Sequence, residues 1–141
     1  IIASIQNDKH TEMVVSTKNN GTITDLPYDA AVEVSGVVTG KGFVPYNWGA
    51  FENPAARGML QVMKGMEETV IRAAITGDYG AALQAFTVNP LVPAGQTAKT
   101  LLDQMLYAHK DYLPQFADKI KEIEENQPED VQYIDELMKS N

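Results

Sequence analysis

The side chains that could do chemistry are few and lie far apart. His10 and His109 are the two histidines, and neither has a neighbouring ligand at metal-site spacing, so we expect no metal centre built from this chain alone. The absence of cysteine excludes disulfides and thiolate ligands. The sequence also lacks a nucleophile elbow and a glycine-rich phosphate loop. Glu33, between Val32 and Val34, is the carboxylate with the most apolar neighbours, and solvent exposure or a structural hydrogen bond explains it better than catalysis.

The most informative polar stretch is Asn19-Asn20-Gly21. Asparagine and glycine tolerate positive φ, so the three residues predict a tight turn. Taken by themselves, they are best explained as a structural hairpin turn. Leu26-Pro27 then predicts an extended corner, because the residue before proline is pushed out of the helical region.

Length and composition indicate an ordinary globular protein. A chain of 141 residues with 44% hydrophobic and 21% charged residues fits one domain with a core over most of its length. The formal charge of −8 argues against a nucleic-acid binder, which needs clustered lysine and arginine. No stretch approaches the roughly 20 apolar residues of a membrane-spanning helix.

The front third predicts an antiparallel sheet. Residues 12–17 and 31–39 are rich in β-branched side chains and read as strands. We expect Thr22-Ile23-Thr24 to pair back across the asparagine turn, and residues 43–46 to form a further strand after Gly40-Lys41-Gly42.

Helices follow from residue 53 onward, so the predicted fold class is α+β. Asn53-Pro54 is a helix start signal, and Gly77 is a stop signal at the end of the apolar stripe that begins with Met59. That stripe is more typical of a core than of an interface, although methionine also serves adaptable contact surfaces. Four more helical segments are predicted: from Asp78 to before Asn89-Pro90, from Thr97 to about His109, around Phe116 to Ile123, and from about Pro128.

The residues at both ends of the chain predict local structure. Ile1 to Ile5 resembles the last turns of a helix closed by Asn7-Asp8, with a short strand as the alternative, so we expect the chain to be cut from something longer. We expect residues 1–125 to form the domain and residues 126–141 to form an appended acidic helical tail.

Several segments in order carry a family resemblance. They are Lys18-Asn19-Asn20-Gly21-Thr22-Ile23-Thr24-Asp25-Leu26-Pro27 running into Ala31-Val32-Glu33-Val34, then Ala73-Ala74-Ile75-Thr76-Gly77-Asp78-Tyr79, Val88-Asn89-Pro90-Leu91-Val92-Pro93, and His109-Lys110-Asp111-Tyr112-Leu113-Pro114-Gln115-Phe116. Over roughly residues 1–117 the chain resembles the C-terminal half of glycoside hydrolase family 4, the NAD- and manganese-dependent glycosidases. It looks most like the 6-phospho-β-glucosidase branch.

The resemblance implies one domain of a cytoplasmic enzyme. In that family a Rossmann-type N-terminal domain joins a C-terminal domain similar to that of lactate dehydrogenases, and the sugar site lies where the two meet. The dinucleotide fingerprint, the metal-binding cysteine and histidine and the catalytic tyrosine would lie upstream of this chain. NAD and Mn²⁺ would therefore serve the full-length enzyme, which would oxidise the sugar at carbon 3, eliminate the aglycone, add water and reduce back.

For this chain the resemblance implies supporting roles. No catalytic, cofactor-binding or metal-binding residue is expected in it, and the isolated chain should be inactive. The substrate-pocket candidates are Asn19, Asn20 and Gly21, because an amide-rich turn at a domain junction suits sugar hydroxyls. The expected partners are its own N-terminal domain, a phosphorylated disaccharide or β-glucoside, and further copies of the enzyme. In this family the C-terminal domain contributes to dimer contacts, so the Met59 helix is an interface candidate.

Two alternatives remain open on sequence grounds. A C-terminal domain of a lactate or malate dehydrogenase would share the architecture. A stand-alone binding module would use the acidic tail to hold a partner.

Overall fold

The computed structural model describes residues 1–93 and 95–139, and the chain forms two compact units, Ile1–Lys64 and Gly65–Asn141. The first unit contains an antiparallel sheet and the second is helical. The α+β class and the sheet in the front third are therefore confirmed. None of the helices among the described residues is long and apolar enough to cross a membrane.

The first unit is built on three strands. A short helix α1 (Ile2–Gln6) precedes β1 (Thr11–Lys18), β2 (Ala31–Thr39) and β3 (Gly42–Pro45), which lie in that order with antiparallel pairing throughout. Helix α1 matches the helical interpretation of the first residues, and Asn7 closes it by donating from Nδ2 to the Ala3 carbonyl at 2.8 Å.

The period-2 pattern of β2 places its valines in the core. Val32, Val34 and Val38 are buried, whereas Glu33 on the other face is exposed, as the sequence predicts. A small core forms around the buried residues of β2. The loop that follows β1, strand β3 and residues 51–60 also contribute to it. Its members are Ile23, Leu26, Val32 and Val34, with Phe43, Phe51 and Leu60 packed against them.

The prediction that Thr22-Ile23-Thr24 pairs back across the asparagine turn is wrong. Strand β1 pairs instead with β2, from Thr11 opposite Val38 to Lys18 opposite Ala31, so the whole of residues 19–30 is a loop. Ile23 makes a single parallel bridge to Gly49. The physical reason is that β2 offers a longer apolar strand to pair with, and the loop residues fold in to cover its end.

The second unit contains helices whose ends were readable in the sequence. Helix α2 (Pro54–Thr76) begins in the first unit and ends in the second, followed by α3 (Tyr79–Val88), α4 (Gln96–Ala108), 3-10 turns at Lys110–Tyr112 and Pro114–Phe116, α5 (Ala117–Asn126) and α6 (Pro128–Lys139). Gly77 follows α2 at φ +71°, and the Asp78 side chain caps α3 by accepting from the Ala81 amide at 3.0 Å.

The apolar stripe of α2 is not a core stripe. Met59, Val62 and Val70 are 52%, 44% and 43% exposed. Of the described residues of this helix, Ala73 is the buried one. The prediction that favoured a core is therefore wrong for most of the stripe. Spacing along a helix shows that residues share a face, but it does not show what covers that face.

The core of the second unit lies among the other helices and reaches the acidic segment. Leu102, Leu106 and Phe116 are buried there together with Ile134 of α6. The Tyr107 hydroxyl donates to Asp135 Oδ1 at 2.9 Å, and Gln104 Nε2 donates to Asp130 Oδ1 at 3.0 Å. The predicted helix from Pro128 is confirmed. The domain boundary at residues 125/126 stays a prediction, and Ser140 and Asn141 lie outside the described residues.

A buried carboxylate joins three parts of this unit. Asp103 on α4 is fully buried, and it accepts from the Tyr79 hydroxyl on α3 at 2.6 Å. It also accepts from Lys99 Nζ at 2.5 Å and from Gln127 Nε2, between α5 and α6, at 2.9 Å. Burial alone would raise the pKa of Asp103, but the hydrogen bonds from Lys99, Tyr79 and Gln127 outweigh it and hold the pKa below its usual value.

We predict that Asp103→Asn destabilises the chain by about 2 kcal/mol at pH 7, because hydrogen bonds to a buried charged group are lost or weakened. A carboxyl whose pKa is lower in the folded state adds stability above its unfolded value of about 3.9, and that stability is lost as the pH falls through the folded value. The difference between wild type and variant in urea unfolding should therefore shrink below about pH 4. Glu68→Gln, on the exposed surface of α2, is the control and should change little at any pH. A gap that stays constant down to pH 2 would contradict this role.

Candidate functional site

The asparagine turn has the geometry that its residues predict. Asn20 and Gly21 have φ values of +47° and +84°, and the Thr22 amide donates to the Asn19 carbonyl at 2.8 Å. The Asn19 and Asn20 amides donate to the carbonyls of Ala30 and Tyr28, both at 2.8 Å, which prolongs the contact between the two arms of the loop. The turn therefore sits at the base of the residue 19–30 loop rather than at the tip of a hairpin.

The Asn19 side chain is fully buried and bonds entirely within this loop. Its Oδ1 accepts from the Ile23 amide at 2.8 Å. Its Nδ2 donates to the carbonyls of Ile23, Leu26 and Pro27 at 2.9, 3.1 and 3.0 Å. Two N–H groups are thus shared among three carbonyl oxygens, and the amide has no donor left for another group. Asn19 orders the loop that carries the turn.

Asn20 and Gly21 differ from Asn19 because both are exposed. Within the described part of the chain, the Asn20 side chain makes no hydrogen bond, so its amide is free to meet a ligand. A Cβ added at Gly21 would lie 3.7 Å from the Tyr28 ring, and the positive φ is the stronger reason for glycine there. That any of the three candidates contacts a substrate stays a prediction.

The loop also positions a second segment, which sequence reasoning missed. The Trp48 and Gly49 amides donate to the Thr22 carbonyl at 3.0 and 3.1 Å, and the Thr24 amide donates to the Gly49 carbonyl at 2.9 Å. The Phe51 amide donates to Asp25 Oδ2 at 2.6 Å. Segment 48–51 is thereby fixed against the loop by its backbone.

A cavity of about 410 Å³ lies in the first unit, between this segment and residues 33–35 of β2. Most of the side chains that line it are apolar, with Trp48 55% exposed and Val14 59% exposed, and Glu33 and Glu52 lie among them. The signal available in the sequence was the single tryptophan, placed between a strand and a helix start.

Metal-binding geometry is not found among residues 1–93 and 95–139, where no three His, Asp or Glu side chains gather around a point. His10 lies beside Asp8, with Nε2 3.1 Å from Oδ1. His109 directs Nδ1 at the Met105 carbonyl, 2.9 Å away. Neither histidine brings further ligands with it, so the described residues do not fit a manganese site.

The sequence and the fold both match known proteins of one family. Residues 1–92 match the family 4 glycosyl hydrolase C-terminal domain. A protein of Bacillus subtilis (strain 168), described as a probable 6-phospho-beta-glucosidase, is 50% identical over 121 residues, which are 86% of this chain and 27% of that protein. This chain belongs to glycosyl hydrolase family 4, as part of its C-terminal domain. The match favours this family over the dehydrogenase alternative.

Solved structures agree with this assignment. A 6-phospho-alpha-glucosidase from gut microorganisms, in complex with NAD and glucose-6-phosphate, is 36% identical with a TM-score of 0.73, covering 81% of this chain and 26% of that one. The 6-phospho-beta glucosidase from Thermotoga maritima, with manganese, NAD+ and glucose-6-phosphate, is 28% identical with a TM-score of 0.69, covering 79% and 27%. This chain spans about a quarter of the length of the relatives that it matches.

We predict that Asn19→Ala lowers the free energy of unfolding by about 3 kcal/mol, because three carbonyls and one amide inside the loop lose their partner. Asn19→Asp should cost a similar amount, since a carboxylate keeps the acceptor for Ile23 but cannot donate to carbonyls. Urea unfolding followed by circular dichroism would measure both.

The matched control is Asn20→Gly. Glycine accepts the φ of +47° at residue 20, so the free energy of unfolding should stay nearly unchanged. An Asn19→Ala protein that unfolds at the wild-type urea concentration would contradict the structural role of the buried amide.

Proposed function

We propose that this chain is the C-terminal domain of a 6-phospho-β-glucosidase that hydrolyses phosphorylated β-glucosides by NAD-dependent oxidation and elimination in the cytoplasm. The observation that carries the proposal is the 50% identity to the Bacillus subtilis relative. The β-glucoside is the first choice of substrate because of that relative alone, since the α-type structure is 36% identical and the Thermotoga maritima β-type structure 28%.

The chemistry is divided between this chain and the rest of the proposed enzyme. The described residues offer no metal site, so Mn²⁺ would be held by the N-terminal domain. The family resemblance assigns NAD to the same Rossmann-type domain. The part of this chain would be to present a rigid loop to the sugar and to support the catalytic domain. A rigid loop suits this task because interactions in a preorganised site need no ordering when the substrate binds.

Within the loop, Asn20 is the proposed substrate contact. Its side chain is exposed and makes no hydrogen bond within the described residues, while Asn19 beneath it is saturated. Gly21 permits the turn by accepting φ +84°. The two asparagines would thus divide the work, one ordering the loop and the other meeting a sugar hydroxyl.

The enzyme would also be a homo-oligomer. The exposed apolar side chains on one face of α2 support this part of the proposal, since Met59, Val62 and Val70 are 52%, 44% and 43% exposed. Apolar side chains in such a row are typical of surfaces that another chain covers.

We predict that the full-length enzyme, given NAD and Mn²⁺, hydrolyses a chromogenic 6-phospho-β-glucoside faster than its α-anomer. The isolated chain should show no turnover and no tight binding of NAD or Mn²⁺ by calorimetry. Light scattering on the full-length preparation would give its oligomeric state. Turnover by the isolated chain, or a preference for the α-anomer, would overturn the proposal.

A second prediction concerns Asn20 alone. Because one neutral hydrogen bond contributes about 1 kcal/mol, or about 2 when its partner is left buried, Asn20→Gly in the full-length enzyme should lower kcat/KM about five- to thirty-fold. The melting temperature should stay the same, since glycine accepts the backbone geometry at no cost. Gly21→Ala serves as the opposite control and should lower stability, because its φ of +84° is strained for alanine. Unchanged kinetics in Asn20→Gly would remove Asn20 from the pocket.

A further inference from the structure

The cavity of about 410 Å³ in the first unit is an open groove with a defined chemical character. Trp48, Phe51, Val14 and Ile23 give it apolar walls. Trp48 and Val14 are more than half exposed, so these walls are largely uncovered in this chain.

Two carboxylates line the same groove. Glu33 comes from β2, and Glu52 comes from the segment just before α2. Both are exposed, and neither makes a hydrogen bond or an ion pair within the described part of the chain. No lysine or arginine is found among the described residues that line the groove. The charged residues that line the groove are therefore both negative.

The groove also runs along an unpaired stretch of strand edge. Strand β3 pairs with residues 36–39 of β2. On the side of β2 that faces β3, the last backbone bond runs from the Tyr46 amide to the Ser35 carbonyl at 3.1 Å. The backbone groups of an antiparallel strand alternate between its two sides, so Ser35, Glu33 and Ala31 point the same way. The Ala31 carbonyl on that side accepts from Lys64 Nζ at 2.7 Å. By the same alternation the amide and carbonyl of Glu33 face away from β1, and on their own side no backbone bond to them is found in the described part of the chain.

We propose that this groove binds an extended peptide segment that adds to the edge of β2 at Glu33 and places a basic side chain between Glu33 and Glu52. An added strand would supply the missing backbone bonds of Glu33. The basic side chain would neutralise the two carboxylates, and its stem or guanidinium would pack on the Trp48 ring.

The segment belongs to the part of the enzyme that this chain does not include. The chain spans 27% of the length of its Bacillus subtilis relative, so most of such a polypeptide lies elsewhere. A segment of the same polypeptide is present at a high effective concentration, which makes a small groove sufficient. This step rests on the proposed function, in which the chain is one domain of a longer enzyme.

The test is amide hydrogen exchange, measured on the full-length enzyme and on the isolated chain. In the full-length enzyme the Glu33 amide should exchange roughly tenfold more slowly, or slower still, than in the isolated chain. The Val34 amide, which faces β1, is the internal control and should be protected in both. The readout uses no glycosidase assay, so a failure of the proposed activity would leave this result standing.

A double variant tests the basic side chain separately. Glu33→Gln with Glu52→Gln should lower the melting temperature of the full-length enzyme by roughly 2–4 °C and leave that of the isolated chain unchanged. Glu129→Gln, on the exposed surface of α6, is the charge-matched control and should alter neither. A Glu33 amide that exchanges equally fast in both proteins would overturn the proposal. Protection of that amide without any effect of the double variant would overturn it as well, because the segment would then carry no basic group there.

Discussion

The first unit depends on the buried amide of Asn19. A loop of a dozen residues between two strands would ordinarily leave its backbone carbonyls to water. Here one side chain accepts from the Ile23 amide and donates to three carbonyls, so the loop can pack Ile23 and Leu26 into the core beneath β2. No aliphatic side chain could do this, and a carboxylate could do only half of it.

Backbone hydrogen bonds connect the loop that this amide orders to a second segment. The Thr22 carbonyl accepts from both Trp48 and Gly49, so the segment that walls the groove takes its position from the loop. The second unit uses the same principle with a charged group, because Asp103 collects donors from α3, α4 and the junction of α5 and α6. In both units a saturated buried polar group fixes the relative positions of segments that are far apart in sequence.

The parts of the fold that could be predicted are those that depend on residues close together in the sequence. The helix beginning at Asn53-Pro54, the cap at Asp78 and the valine alternation of β2 each depend on a few neighbouring residues, and all three are confirmed. The predictions that failed concern features that depend on residues far apart in the sequence. Thr22-Ile23-Thr24 has strand-like residues, but its pairing was decided by the competing strand β2. The exposure of Met59 and the bonds of Asn19 likewise follow from what lies opposite them, which spacing does not encode. The asparagine turn could be located from sequence as a candidate site, whereas the different situations of its two asparagines could not.

The position of Trp48 makes the two units optically distinguishable. It is the single tryptophan of the sequence, it lies in the first unit, and its backbone is bonded to the loop that Asn19 orders. The second unit carries tyrosine but no tryptophan, so indole emission reports on the sheet-containing unit alone, whereas far-ultraviolet ellipticity is dominated by the helices. Comparing the two signals during unfolding would show directly whether the chain melts as one cooperative body or in two steps.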